Sequence, residues 1–208
     1  TFDIPEGRVS HSGGVMGAQQ VSELLQIIKD TSFIGGVSTV PMEGYSFEGN
    51  KVIMKMKNAW LGAINPHKTG YWALANVDTW NAAGGKDPKS TYGTDTADGT
   101  GPFTHAEWVP GSHTLVNKWD AYPGSNTPYV TNTGAAYLDS IRWSVITEGG
   151  QRATMLENGE LDTLLGPNYA DLERLKSNAD LTVIQHPEWS GYMLSMNRDY
   201  PEFFGDKL

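Results

Sequence analysis

The amino-acid sequence predicts an α/β fold from three patterns. Apolar residues recur with helical spacing between Ala18 and Asp30, two strand-like runs separated by a turn occupy residues 103–119, and short strand and helix patterns alternate beyond Tyr137. Strands that alternate with short helices are typical of an α/β sandwich. We therefore expect a partly parallel sheet with helices packed on it.

The first helix is predicted over residues 18–30. Its apolar side chains lie at positions i, i+3, i+4 and i+7, which share one helical face: Val21, Leu24, Leu25 and Ile28. Residues 1–17 are interrupted repeatedly by glycine and proline, so a loop is expected there.

A half-buried strand is predicted over residues 51–57, where Val52, Met54 and Met56 alternate with outward-facing positions. Residues 58–85 are rich in tryptophan and other apolar side chains but show no single period. Two interpretations stay open for these aromatic residues: the protein core, or a surface on which a ligand stacks.

The strongest local signals lie around residue 100, after a polar loop over residues 86–98. The segment Gly99 to Pro102 is expected to bend the chain, with its two glycines at positive φ. A strand then leads to Pro110-Gly111, the signature of a type II turn, and a second strand follows. The prediction is a hairpin entered through a rigid bend, which we call the elbow.

Beyond the hairpin the sequence predicts six further elements. In chain order they are a strand at Tyr137–Ile146, a helix at Gln151–Asn158 ended by Gly159, a buried strand at Leu161–Leu165, a helix with Asn168 as N-cap, and strands at Leu181–Gln185 and Tyr192–Met196.

Composition excludes several classes of function. The 208 residues carry a net charge of −9, whereas nucleic-acid binding requires clustered lysine and arginine. The chain has no cysteine, so neither a disulfide nor a thiolate metal site is available. No apolar run approaches the length of a membrane helix, and no signal peptide is apparent, so we expect the chain to begin after a targeting segment or within a longer protein.

No residue pattern predicts catalysis, a metal site or a cofactor. His105 and Glu107 have the His-x-Glu spacing of a zinc deaminase, but the cysteine pair that completes such a site does not occur. On a strand these two side chains are expected to share a face and to pair with His113 or Lys118. Residues 95–99 are interpreted as a turn rich in Asp rather than a calcium loop, because a closing bidentate glutamate is missing.

Several sequence blocks resemble the family 5 extracellular solute-binding proteins, the peptide, nickel and oligosaccharide receptors of ABC importers. They are Gly99-Thr100-Gly101-Pro102-Phe103, Glu107-Trp108-Val109-Pro110-Gly111, Trp119-Asp120-Ala121-Tyr122, Tyr137-Leu138-Asp139-Ser140-Ile141, Asn158-Gly159-Glu160-Leu161-Asp162, Asp171-Leu172-Glu173-Arg174-Leu175-Lys176 and Gly191-Tyr192-Met193-Leu194-Ser195-Met196-Asn197.

The resemblance implies a periplasmic-binding-protein type II fold, of which this chain would be one partial lobe. The first strands and the second lobe of the family would be absent. We expect residues 1–95 to form a subdomain packed on the main lobe, residues 96–197 the α/β part of that lobe, and residues 198–208 the start of the crossover to the other lobe.

The implied function is capture of a peptide, an oligosaccharide or a related small solute, and its delivery to the membrane permease of an ABC importer. The resemblance also implies a periplasmic or extracellular location, allows a lipid anchor in the complete protein, and predicts a monomer without catalytic activity or cofactor. A secreted glycan-active hydrolase is the alternative, suggested by the tryptophan content and the surplus of acidic residues.

The predicted ligand-binding residues lie in two loops that follow predicted strands, since ligands of α/β proteins bind beyond the carboxyl ends of strands. Leu165 and Gly166 belong to the first loop, and Trp189, Ser190 and Tyr192 to the second. By resemblance, both loops border the cleft and Asn197 lies at the hinge. Trp189 has a second interpretation, packing against the hairpin.

Overall fold

The computed structural model describes residues 1–31, 41–59, 73–125 and 130–185. The chain divides into two compact units, Thr1–Val145 and Ile146–Leu208. Each unit is described by itself. The predicted division at residues 95 and 197 concerns the lobes of a complete receptor and stays a prediction.

The first sheet of unit 1 has three antiparallel strands: β1 (Phe2–Asp3), β2 (Met42–Glu48) and β3 (Lys51–Met56), in the order β1-β3-β2. Helix α1 (Ala18–Thr31) contacts β2 and β3. The predictions of α1 and β3 are confirmed. The sequence analysis missed β2, and it placed β1 within a loop.

The core of unit 1 lies between α1 and this sheet. Its buried members are Ile4, Ala18, Val21, Leu25, Met42 and Val52. Complete burial of a large apolar side chain stabilises the fold by about 1.5 to 3 kcal/mol. Beside this core, the Gln26 side-chain oxygen accepts a hydrogen bond at 2.9 Å from the backbone N–H of Tyr45, which lies in the edge strand β2.

The second sheet of unit 1 follows the short helix α2 (Val77–Ala82). Its strands are β4 (Phe103–Val109), β5 (His113–Lys118) and β6 (Ser140–Ser144), all antiparallel and in sequence order. The predicted hairpin and its turn are confirmed: Gly111 has a φ of 73°, and the Ser112 N–H donates to the Val109 carbonyl at 3.0 Å. Strand β6 is shorter than the predicted strand over residues 137–146.

The elbow is present, but its backbone differs from the prediction. The chain bends at residues 100–102, whereas Gly99 and Gly101 are not among the glycines with positive φ. The expectation of positive φ was therefore wrong. Gly99 instead forms an isolated bridge with Ala75, so the bend is held by contacts with distant segments of the chain.

A β-bulge separates His105 from Glu107. His105 pairs with Val116 and Glu107 with Leu115, so the two side chains point to opposite faces of the sheet. The expectation of a shared face was wrong because the extra residue reverses the alternation. The predicted partner of Glu107 is confirmed, since its carboxylate lies 2.9 Å from the Nε2 atom of His113.

No side chain of β4, β5 or β6 is buried. On one face Trp108 and Trp143 both pair with Thr114, and they are 43% and 50% exposed. Among the described strands of unit 1, buried apolar side chains therefore occur only in the first sheet.

The expected partly parallel sheet does not occur among the described residues. Both sheets are antiparallel, and the bridge between Tyr92 and Thr96 is the single parallel pairing in the described ranges. Short turns join β2 to β3 and β4 to β5. A connection of this length permits only antiparallel neighbours, because a parallel pair requires a longer crossover.

Unit 2 contains two helices, α3 (Gly149–Glu157) and α4 (Tyr169–Ser177). The predictions of both are confirmed, and Gly159 ends α3 with a φ of 75°. Asn168 holds the N-cap position of α4, although its side chain makes no capping hydrogen bond. The predicted strands over residues 161–165 and 181–185 were wrong, since neither segment forms a strand.

Candidate functional site

A groove in unit 2 is the candidate solute-contacting site. Its cavity volume of about 560 Å³ lies within the range usual for small-molecule sites. The lining residues come from the end of α3, the loop before α4, α4 itself and the segment after it. They are Leu156, Asp162, Thr163, Leu164, Leu165, Pro167, Tyr169, Leu172, Leu175, Asp180, Leu181, Thr182, Val183, Ile184 and Gln185.

The loop between α3 and α4 presents Leu165 to this groove. Gly166 has a φ of 62°, a conformation that residues with a side chain rarely adopt, and Pro167 follows it, two residues before the first residue of α4. Leu165 remains 86% exposed. A rigid turn thus holds a large apolar side chain in water, where burial against a solute would be favourable.

Both the buried and the exposed residues that line the groove are mainly apolar. Leu175 is only 2% exposed, whereas Tyr169 and Ile184 are 87% and 73% exposed. Exposed apolar surfaces of this kind are typical of interaction sites. The arrangement suits an apolar or amphipathic solute.

The charged side chains that line the groove in the described part of unit 2 are Asp162 and Asp180. The guanidinium of the nearby Arg174 binds two other carboxylates. It lies 2.9 Å from Asp171 and also contacts Glu157, and the contact with Glu157 joins α4 to α3. The hydrogen bond from Arg174 to Asp171 and the neighbouring carboxylates raise the pKa of Arg174. The groove therefore favours a neutral or positively charged solute over an anion.

Of the predicted site residues, Leu165 lines the groove and Gly166 shapes the loop beside it. Trp189, Ser190, Tyr192 and the predicted hinge residue Asn197 lie outside the described residues. Across the described ranges, no three His, Asp or Glu side chains lie close enough to ligate a metal ion together. In the same ranges no helix is long and apolar enough to cross a membrane.

The sequence analysis missed a buried carboxylate in unit 1. Asp98, which is 3% exposed, accepts hydrogen bonds from the hydroxyl groups of Ser10, Ser12 and Thr79 at 3.0, 2.5 and 2.8 Å. The Ser12 backbone N–H also donates to it at 3.0 Å. Its backbone binds the Tyr92 hydroxyl, so one residue joins the N-terminal loop, α2 and the elbow.

The hydrogen bonds that Asp98 accepts favour its ionised form. Burial acts to raise its pKa, but the bonds from Ser12, Thr79 and Ser10 outweigh burial and hold the pKa below its ordinary value. The signal available in the sequence was a polar turn containing aspartate. Nothing local indicates that this aspartate meets side chains more than eighty positions away.

A family model described as bacterial extracellular solute-binding proteins, family 5 middle, matches residues 52–208. The chain belongs to family 5 of the bacterial extracellular solute-binding proteins. The resemblance inferred from the sequence blocks is thereby confirmed.

Among curated family 5 relatives, the chain is 28% identical over 110 residues to a protein named glutathione-binding protein GsiB from Salmonella paratyphi A. That match takes in 53% of this chain and 20% of the relative. The compared segment therefore represents a small part of GsiB.

Two solved structures show the fold. A dipeptide-binding protein from a Pseudoalteromonas species, in complex with Met-Leu, has a TM-score of 0.71 and 16% identity, over 86% of this chain and 37% of that protein. A nickel ABC transporter protein from Bacillus halodurans has a TM-score of 0.68 and 20% identity, over 85% and 33%. This family 5 chain is thus α/β and corresponds to part of a type II periplasmic-binding-protein fold.

Proposed function

We propose that this chain is part of the substrate-binding component of an ABC importer. It would capture a peptide, an oligosaccharide or a related small solute outside the cytoplasmic membrane and deliver it to the permease, as a monomer and without catalysis. Family 5 membership supports this assignment. The relatives described above are named for binding and transport, and none of those names supports the alternative of a glycan-active hydrolase.

The exposed Leu165 is the observation that carries the proposal for the site. It lines the apolar groove, in a loop predicted to border the cleft. Closure of two lobes about a hinge at Asn197 would bury this side chain against the solute. Removing an apolar leucine side chain from water contributes about 1.5 to 3 kcal/mol, which corresponds to at least about a tenfold gain in affinity.

The experiment replaces Leu165 by serine in the complete receptor. Titration calorimetry would use three probes: the dipeptide Met-Leu, glutathione and maltotriose. We expect Leu165→Ser to weaken binding of the probe that the unmodified receptor binds by about tenfold. The melting temperature without ligand should change little, because the side chain is 86% exposed.

Leu138→Ser is the matched control, since Leu138 is 59% exposed and is not among the groove-lining residues. Equal affinities of the two variants would remove Leu165 from the solute site. Release of a cleavage product from any probe would contradict the non-catalytic assignment.

The second predicted loop has its own test. Trp189→Ala should weaken solute binding at least about tenfold in the complete receptor, because a flat aromatic face contributes about 1 to 3 kcal/mol when it is buried. The melting temperature of the ligand-free protein should shift little. Unchanged affinity together with a large loss of stability would assign Trp189 to the core.

A further inference from the structure

His11 connects the N-terminal loop to the elbow through both of its ring nitrogens. The Gly99 backbone N–H approaches Nδ1 at 3.2 Å, and Nε2 lies 3.0 Å from the Gly101 carbonyl oxygen. The His11 backbone N–H adds a bond to the Gly99 carbonyl at 2.9 Å. The ring also meets Trp119 edge to face, with 4.9 Å between the ring centroids.

The backbone partners determine which nitrogen carries the proton. A backbone N–H can only donate, so Nδ1 must accept from Gly99 and carries no hydrogen. A carbonyl oxygen can only accept, so Nε2 must carry the hydrogen that it donates to Gly101. Both contacts are satisfied together only by the neutral imidazole with its proton on Nε2.

A second proton on the ring breaks this arrangement. It would place an N–H on Nδ1 directly opposite the Gly99 N–H, so that two donors face each other at a half-buried position. An imidazole changes its charge between about pH 5 and pH 8, a range in which carboxylates and lysines do not. We propose that His11, Gly99 and Gly101 form a pH-sensitive latch between the N-terminal loop and the elbow, whose two ring hydrogen bonds form only while His11 is neutral.

Asp98 and Tyr92, the titratable residues bonded beside the latch, are engaged in other hydrogen bonds. Asp98, the nearest carboxylate in sequence, has its oxygens occupied by hydroxyl and backbone donors from Ser10, Ser12 and Thr79. The Tyr92 hydroxyl is bonded to the backbone of Asp98. The ring also meets Trp119 edge to face; Trp119 does not titrate and is flanked in the sequence by Lys118 and Asp120.

The elbow directly precedes β4, so the latch is one of the contacts that attach the second sheet of unit 1 to the first part of the chain. Acidification in the imidazole range would release the two ring contacts without protonating Asp98, whose pKa is held below its ordinary value, while the backbone bond from His11 to Gly99 remains. The latch and the Asp98 bonds are therefore separable by pH.

The first measurement is nuclear magnetic resonance on the 208-residue chain. Nitrogen shifts of His11 should show the neutral form with the proton on Nε2 at about pH 7.5. Hydrogen exchange at the Gly99 amide, corrected for the intrinsic effect of pH, should become about tenfold less protected at about pH 5.5. A proton on Nδ1 at the higher pH, or unchanged Gly99 protection, would overturn the proposal.

The second measurement uses His11→Gln. A glutamine side chain offers one acceptor and one donor at every pH, so it should retain protection of Gly99 and remove its dependence on pH. His113→Gln is the matched control, because His113 pairs with Glu107 away from the elbow, and it should keep the normal pH response. If the Gly99 amide of His11→Gln still lost protection on acidification as in the unmodified chain, the pH effect would belong to another group and the latch would be refuted.

Discussion

Asp98→Ala should lower the free energy of unfolding of the 208-residue chain by about 2 to 4 kcal/mol. The substitution removes the acceptor of the hydroxyl groups of Ser10, Ser12 and Thr79 and of one backbone N–H. A hydrogen bond to a charged group contributes about 1.5 to 3 kcal/mol net. These bonds share one carboxylate, so their losses do not add, and the estimate stays near the value of one or two such bonds.

Urea unfolding at neutral pH, followed by tryptophan fluorescence, would measure this loss. Asp98→Asn should cost less, because its remaining side-chain oxygen still accepts from the Ser12 N–H. Asp95→Ala is the control, since Asp95 is exposed in the same polar segment. If Asp98→Ala cost no more than Asp95→Ala, and less than about 0.5 kcal/mol, the buried hydrogen bonds would not stabilise the fold as argued.

Two further predictions concern pH and glycine. Because the pKa of Asp98 is lower in the folded state, its stabilisation is present above the ordinary carboxyl pKa and is lost as pH falls through the folded pKa. The stability gap between the unmodified chain and Asp98→Ala should thus narrow on titration from about pH 6 to about pH 2, and a constant gap would contradict the lowered pKa. Gly111→Ala should cost about 1 to 2 kcal/mol in urea unfolding because of its positive φ. Gly101→Ala should cost less than about 0.5 kcal/mol, since φ is not positive and open space surrounds a Cβ atom there; equal losses would refute this contrast.

The elements predicted correctly from the sequence are those whose signal is local. Helix α1 follows from the spacing of Val21, Leu24 and Leu25, all of which are buried. The hairpin follows from Pro110 and Gly111, which determine the turn through their own backbone preferences. The sequence blocks identified the family, although those within the described residues occupy loops and short elements.

The failures concern properties that depend on distant residues. The apolar run over residues 161–165 suggested a buried strand, but a strand needs a hydrogen-bonded neighbour, and the sequence does not show whether one is present. Of its residues, Leu165 is 86% exposed. Asp98 was interpreted only as part of a turn rich in Asp, because its partners Ser10 and Ser12 lie far away in the sequence. The sequence around Ala106 likewise does not distinguish the bulge from a strand with regular alternation.

The hydrogen bond from Tyr45 to Gln26 has a consequence for the behaviour of the protein in concentrated solution. Strand β2 lies at the edge of its sheet in the described residues, and an edge strand with open N–H groups is a template for intermolecular strand addition and fibril growth. Gln26 occupies one of these N–H groups with a side chain anchored on α1, and a Cβ atom on the adjacent Gly44 would lie only 2.9 Å from its oxygen. The helix that completes the core therefore also shields this edge against self-association.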